Sequence, residues 1–318
     1  MFIIVLAAVG VIAAMMMGLK FAFSRMVSAA KPQLPAPIAP MQPAEVRVKV
    51  EERNAAPLEN GAVVAASDAV AIVCGNGANV DRYEMRNGAL RSIARRRDLP
   101  KEDVAALMDY LASTKDAMRV ERVAALKNDV MNLLRNQEPP VEGLADALIA
   151  MFDGGAHPPA VLDYCIQHLG AMQGGLNDTA RRRVLAVLAM AAARKGQSYA
   201  GTALYSLAAD RCATSAQNAE LKRLALAMCA ADSNPAARIA AIQLAGEHGY
   251  AEALPVLRKA LSSPRRDAVL DIVAIGSVGL LGDSSDIPRL SHFMKCDSRR
   301  APAAEAAIRR INERSGAK

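Results

Sequence analysis

A repeat of 33 residues in the C-terminal part of the chain constrains the fold more than any other feature of the sequence. Similar residues recur at this spacing where helices need a turn, a first-turn proline or an apolar contact. The matches are Gly249 and Gly282, Leu254 and Ile287, Pro255 and Pro288, Leu257 and Leu290, Leu261 and Met294, and, three times over, Ala241, Ala274, Ala307 and Ile242, Ile275, Ile308. A fixed period of about 30 to 40 residues is typical of solenoids, whose units cannot bury their apolar faces alone and therefore stack.

Each repeat is predicted to contain two helices. Asn234 and Pro235 indicate the start of the first, because an Asn side chain caps free amides and proline is preset for the first helical position. Gly249 ends this helix, and a second helix opens near Ala251. Its apolar residues stand at helical spacing, and 33 residues earlier there is an equivalent set: Leu254, Leu257 and Leu261, preceded by Leu221, Leu224 and Met228.

The segments Arg238–Ile242 and Ala251–Leu257 resemble the HEAT-repeat family, including the short bacterial units related to bilin-lyase HEAT-like repeats. The resemblance is clearest over residues 200–314. It implies an α-solenoid of stacked helix pairs that serves as a binding scaffold. It also implies that the second helix of each pair lines the concave side of the stack.

The composition supports an all-α fold for residues 61–318, the predicted helical domain. Hydrophobic residues make up 52% of the chain, but aromatic residues make up only 3% and tryptophan is absent. The core must therefore be built from alanine and aliphatic side chains, and alanine is the best helix former.

Residues 1–25 are predicted to form a transmembrane anchor. Residues 2–19 contain no charge, and Phe21 and Phe23 extend the apolar segment past Lys20 to about the length that spans a bilayer. Lys20, Arg25 and Lys31 follow the segment and no basic residue precedes it, so the positive-inside rule places the helical domain in the cytoplasm. The alternative is a cleaved signal peptide with a cleavage site at Val27–Ala29.

Residues 26–60 are predicted to be a flexible, proline-rich linker. Six of the 16 prolines lie between residues 32 and 57. Such a segment favours extended polyproline conformation, and at about 3.1 Å per residue it would span roughly 80 Å.

No catalytic motif emerges from the sequence, and neither a metal nor another cofactor is expected. Cys165 and His168 could share a helix face, but no second Cys/His pair completes a zinc site, so we expect them to pack in the core. The Gly-containing segment Cys74–Gly77 lacks the third glycine of a dinucleotide fingerprint and is expected to be a turn. The five cysteines are scattered, as suits reduced thiols in the cytoplasm.

The expected function is that of a membrane-tethered scaffold for a protein partner, without catalysis. The alternative is an enzyme or accessory factor on the same scaffold, either bilin-lyase-like or nucleic-acid-modifying. Residues 1–57 contribute six basic and three acidic side chains, so +4 of the net charge of +7 remains for the helical domain. This is too small to indicate a nucleic-acid partner, and no small-molecule substrate is evident. If the second helices line the concave side, they present a row of cations that favours an acidic partner segment: Arg223, Arg258, Lys259, Arg289, His292 and Lys295.

Overall fold

A computed structural model describes residues 66–76, 81–210, 212–230, 232–262, 267–296 and 298–316. All regular structure within these ranges is helical. The predicted anchor and linker lie outside the described residues. None of the helices in the described ranges is both long enough and apolar enough to cross a membrane.

The helices follow one another with short connections. The first seven are α1 (Ala66–Val73), α2 (Tyr83–Ile93), α3 (Lys101–Ala112), α4 (Val120–Arg135), α5 (Leu144–Gly154), α6 (Pro159–Met172) and α7 (Asp178–Ala193). The others are α8 (Tyr199–Ala208), α9 (Ser215–Met228), α10 (Pro235–Glu247), α11 (Leu254–Leu261), α12 (Ala268–Leu281), α13 (Ile287–Cys296) and α14 (Ala301–Gly316). Single 3-10 turns precede α11 and α13, at Ala251–Ala253 and Ser284–Asp286.

Side-chain caps fix where several of these helices begin. Asn234 accepts hydrogen bonds from the Ala236 and Ala237 amides, which confirms the helix start predicted at Asn234 and Pro235. Asp267 caps α12 in the same way, and Thr214 forms a capping box with Gln217 at the start of α9. These caps satisfy amides that have no partner within the helix.

The helices are arranged as antiparallel hairpins that stack into two rows. The hairpins are α5/α6, α7/α8, α9/α10, α11/α12 and α13/α14. Helices α4, α6, α8, α10, α12 and α14 pack one on the next and form the even row, whereas α3, α5, α7, α9, α11 and α13 form the odd row. Contacts between neighbours are extensive in the even row and sparse in the odd row.

Glycine, alanine and serine allow the close contacts of the even row. A Cβ atom added to Gly201 would lie 2.9 Å from the Cβ of Ala240, and one added to Gly246 would lie 2.8 Å from Oγ of Ser277. A Cβ on Gly279 would lie 2.7 Å from Cα of Ala307. These close approaches hold each of the three helices tightly against the next helix of the even row.

The predicted pairing of helices within a repeat is wrong, because each helix pairs with a different neighbour in the chain. We expected α10 to pair with α11, but α11 packs mainly against α12, and α10 meets the 3-10 turn before α11. The physical reason is that α10 already buries its surface against α8, α9 and α12. The equivalent residues Leu221, Leu254 and Ile287 therefore belong to the odd row.

Two glycines of α12 should respond in opposite ways to alanine substitution. Gly279→Ala should lower the free energy of unfolding by about 1–3 kcal/mol, because the new methyl group overpacks the contact with α14. Gly276→Ala should raise it by about 0.5–1 kcal/mol, since nothing lies within 4 Å of the added Cβ. Denaturation followed by circular dichroism measures both changes. Equal effects of the two substitutions would contradict the close contact between α12 and α14.

Candidate partner-binding surface

The predicted cationic ladder lies on three successive helices of the odd row. Arg223 is on α9, Arg258 and Lys259 are on α11, and the remaining members, Arg289, His292 and Lys295, are on α13. All three helices belong to the odd row. That this row forms the concave side and binds a partner stays a prediction.

Two arginines of the ladder donate hydrogen bonds to a buried carboxylate. Asp286 is fully buried, and Arg258 donates two hydrogen bonds to it, from Nε to Oδ1 and from Nη2 to Oδ2, both at 2.8 Å. Arg289 adds a third, from Nη1 to Oδ1 at 3.2 Å. A buried carboxylate needs such partners because leaving it unpaired in the interior is costly. Arg258 and Arg289 thus join α11 to α13.

The other cations of the ladder differ in how far they are engaged. Arg223 pairs with Glu220 one turn earlier, through two hydrogen bonds of 2.6 Å. The ring of His292 packs edge-on against Phe293. Lys259 and Lys295 are exposed and form no ion pair with any described residue. These two lysines are the ladder members that the fold leaves available to a partner.

The open face of the even row was not predicted from the sequence. Because the repeat is 33 residues, equivalent positions on α10, α12 and α14 stand side by side. Three such rungs cross the face: Ala236, Val269 and Pro302; Gln243, Gly276 and Arg309; Glu247, Leu280 and Glu313. The polar or charged residues of α10 and α14 therefore flank a helix that is apolar on its open side.

Helix α12 exposes aliphatic side chains that the fold does not cover. Val269 is 45% exposed, Ile272 37% and Leu280 40%. A sequence signal for this existed, because Ala268–Leu281 is apolar almost all round and so lacks the polar stripe of a surface helix. Exposed aliphatic residues on one helix side indicate an interaction surface.

The N-terminal part of the same face is polar. Burial raises the pKa of Asp163 on α6, which accepts a hydrogen bond of 2.7 Å from Oγ1 of Thr202 on α8. Burial also raises the pKa of Asp129 on α4. The pKa of Tyr164 is raised by burial and by both of these carboxylates. The even row thus carries carboxylates on α4 and α6 and exposed aliphatic groups on α12.

Two small clefts lie among the described residues. One, of about 140 Å³, lies between α2 and α4 and is lined mainly by Asn87, Arg91, Asp129, Asn132 and Asn136. A second, of about 80 Å³, lies among α7, α8 and α9. Pockets that enclose small-molecule ligands generally measure about 300 Å³ or more.

A buried charged cluster joins the first four helices. Arg86 donates from Nη1 to both oxygens of Asp116 at 3.0 Å and from Nε to the Val73 carbonyl at 2.9 Å. Lys127 donates to the carbonyls of Leu111 and Ser113 at the end of α3, and burial lowers its pKa to about 8. These hydrogen bonds join α1, α2 and α4 to the end of α3, which indicates a structural role for the cluster.

Cys165 and His168 occupy the core, as predicted. Cys165 is fully buried, and burial raises the pKa of its thiol to about 12. Nε2 of His168 lies 3.2 Å from Oδ1 of Asn128, and burial together with Arg135 lowers the pKa of His168 to about 4. No group of three or more His, Cys, Asp or Glu residues in the described part of the chain is arranged to hold a metal.

Comparison with known families identifies the C-terminal part of this stack. Residues 223–309 match the HEAT repeats family. The match runs from within α9 to within α14, so it covers the three hairpins that carry both faces described above. The predicted HEAT resemblance is confirmed over this segment, and the predicted all-α fold is confirmed for the described residues. No curated protein and no solved structure matches the chain significantly.

Neighbouring cations of α11 should differ sharply in their effect on stability. Arg258→Glu should cost about 2–3 kcal/mol of unfolding free energy, because Asp286 would face a carboxylate in place of its main partner. Lys259→Glu is the matched control and should change stability by no more than about 0.5 kcal/mol. Urea denaturation measures both. Similar losses for the two variants would contradict the structural role of Arg258.

His168 should make the fold less stable in acid. Its pKa is about 4 in the folded protein and 6.5 ordinarily, so the unfolded chain binds more protons between these values. Stability is therefore lost as the pH falls from 6.5 towards 4. The stability of wild type relative to His168→Gln should fall by about 2 kcal/mol between pH 7 and pH 5. Parallel stability curves for the two proteins would contradict the low pKa.

Proposed function

We propose that the chain is a membrane-tethered helical-repeat scaffold that binds a protein partner on the open face of the even row, without catalysing a reaction. The observation that carries the proposal is the exposed aliphatic side of α12, which lies in the middle of a face built from successive repeats. Soluble proteins seldom expose contiguous apolar surface, and where they do it commonly serves association.

The sizes of the clefts support a scaffold over an enzyme. Catalysis needs a site that encloses substrate and holds titratable groups next to it. The clefts among the described residues, of about 140 and 80 Å³, are below the usual range for ligand pockets. The strongly shifted pKa values of Lys127 and Cys165 belong to side chains buried inside the fold, away from these clefts.

The proposal assigns residues 2–23 to a membrane anchor and the helical domain to the cytoplasm. Its support is the uncharged run from residue 2 to residue 19 and the basic residues Lys20, Arg25 and Lys31 that follow it. The proline-rich linker, residues 26–60, would give the scaffold reach into the cytoplasm. Lys259 and Lys295 remain candidates for a second contact with an acidic segment of the partner.

A crosslinking experiment in intact cells tests this function. A photo-crosslinking amino acid is placed in the full chain at Leu280 on the even row or at Lys259 on the odd row. We expect the Leu280 position to capture a discrete protein in the membrane fraction. Deletion of residues 1–25 should move the chain to the soluble fraction, because the deletion removes the anchor.

Protease added outside the same cells provides the topological control. It should leave residues 66–316 uncut, whereas digestion would contradict the cytoplasmic location. Failure of both positions to capture any protein would contradict the scaffold function. Capture at Lys259 alone would retain the scaffold but move its binding surface to the odd row.

A further inference from the structure

Gly276 lies in the interior of α12, where glycine weakens a helix relative to alanine. The fold gives no reason for it, because a Cβ atom added at this position would meet none of the described residues within 4 Å. Its backbone also has ordinary helical geometry, so no left-handed conformation requires glycine there.

Four other glycines of the even-row helices have a clear function. Gly201, Gly246 and Gly279 each lie where the next helix of the row approaches, and an added Cβ would come within 3.0 Å of that helix. Gly170 has the same relation to Ser206 on α8. At these four positions, glycine therefore marks the point at which another helix packs closely. Gly276 also lies in an even-row helix, but it is on the open face.

The surroundings of Gly276 match a helix-binding surface. Val269, Ile272 and Leu280 stand around it on the open side of α12, at spacings of three, four and seven residues that keep them on one helix side. Without a side chain at position 276, these aliphatic groups border a notch. Into such a notch a partner helix can place a small residue and bring its backbone close.

The charged residues at the rim of this surface are mainly acidic. At the spacing of the repeat, Glu247 on α10 and Glu313 on α14 are the equivalents of Leu280, and Glu305 on α14 is the equivalent of Ile272. None of these three carboxylates forms an ion pair with a described residue, and Arg309 is the single cation at the equivalent positions around them. Glu247 accepts a hydrogen bond of 2.9 Å from Nε2 of Gln243 but has no cationic partner among the described residues. Acids without a cationic partner around an apolar stripe favour basic residues at the edges of the partner.

We propose that α12 is the docking site for an amphipathic helix of the partner protein. That helix has a small residue over Gly276, aliphatic residues against Val269, Ile272 and Leu280, and lysine or arginine facing Glu247 and Glu313. The inference rests on the proposed function and names its partner more closely.

The same charges disfavour the other possible occupants of this face. In a symmetric pair formed through α12, the carboxylates of one copy would approach those of the other, which costs association free energy. An anionic lipid surface would meet the same repulsion. Residues 2–23 of this chain are apolar and are followed by basic residues, but the proposed function commits them to the membrane.

Crosslinking from Ile272 in the full chain, in intact cells, tests the proposal. We expect the captured peptide to come from a different protein and to hold a Gly, Ala or Ser within an apolar stripe flanked by basic residues. A synthetic peptide of that segment is then the probe for affinity measurements. Gly276→Leu should weaken its binding at least tenfold, because the new side chain fills the notch.

Two further variants separate docking from folding. Gly88→Leu is the matched control, since Gly88 also lies inside a helix with open space around it, but on the polar, exposed side of α2. It should leave peptide affinity unchanged. The double variant Glu247→Lys, Glu313→Lys alters only exposed side chains and should weaken binding at least fivefold, with less effect at high salt. Circular dichroism checks that each variant keeps wild-type helicity.

Several outcomes would overturn the inference. These are a captured segment without the small residue and basic flanks, capture of a second copy, capture of residues 2–23 of the same chain, or capture of lipid. Unchanged peptide affinity for Gly276→Leu would do the same. Capture at Lys259 with none at Ile272 would contradict the docking site on α12 but not the scaffold function. If neither position captures a protein, both the docking site and the scaffold function are contradicted.

Discussion

Close backbone contact along the even row is the interaction on which the rest of the structure depends. At Gly201, Gly246 and Gly279 the next helix occupies the space that a side chain would need, and Ser277 donates from Oγ to the Ile242 carbonyl at 2.9 Å within one of these contacts. Such contacts maximise dispersion attraction between helices whose side chains are small. A chain with few aromatic residues can build a dense core in this way.

The odd row is held together differently, because the close backbone contacts lie in the even row. Because each hairpin is anchored through its even-row helix, the odd-row helices stand further apart and are bridged by long side chains. Lys222 on α9 pairs with Glu252 at 2.6 Å, and Arg258 on α11 pairs with Asp286. Some cations of the predicted ladder therefore form ion pairs that link the helices of this row. In the even row, small residues lie in the contacts between helices, and the open face is formed by the side chains on the opposite side of each helix.

The sequence was informative wherever the cause of a structure is local or periodic. The 33-residue repeat, the helix start at Asn234 and the core position of Cys165 could all be predicted, because each depends on nearby residues or on a sustained pattern. The pairing of helices could not, because α11 can pack against α10 or α12 with the same apolar stripe. The cluster of Arg86 and Asp116 was missed for a related reason: its members are 30 residues apart and only the fold brings them together.

The α13/α14 hairpin packs on the hairpin before it through α12 and α14. Two ion pairs with nearly buried carboxylates cross that interface, Arg258 with Asp286 and Arg300 with Asp271 at 2.9 Å. One repeat earlier, the position equivalent to Asp286 is the buried Ala253, so this device is not part of every unit. Buried pairs add little net free energy but penalise a shifted register heavily, because any slip leaves a charge unpaired. The α13/α14 hairpin is therefore held in one register by charge, while the units before it are held mainly by shape.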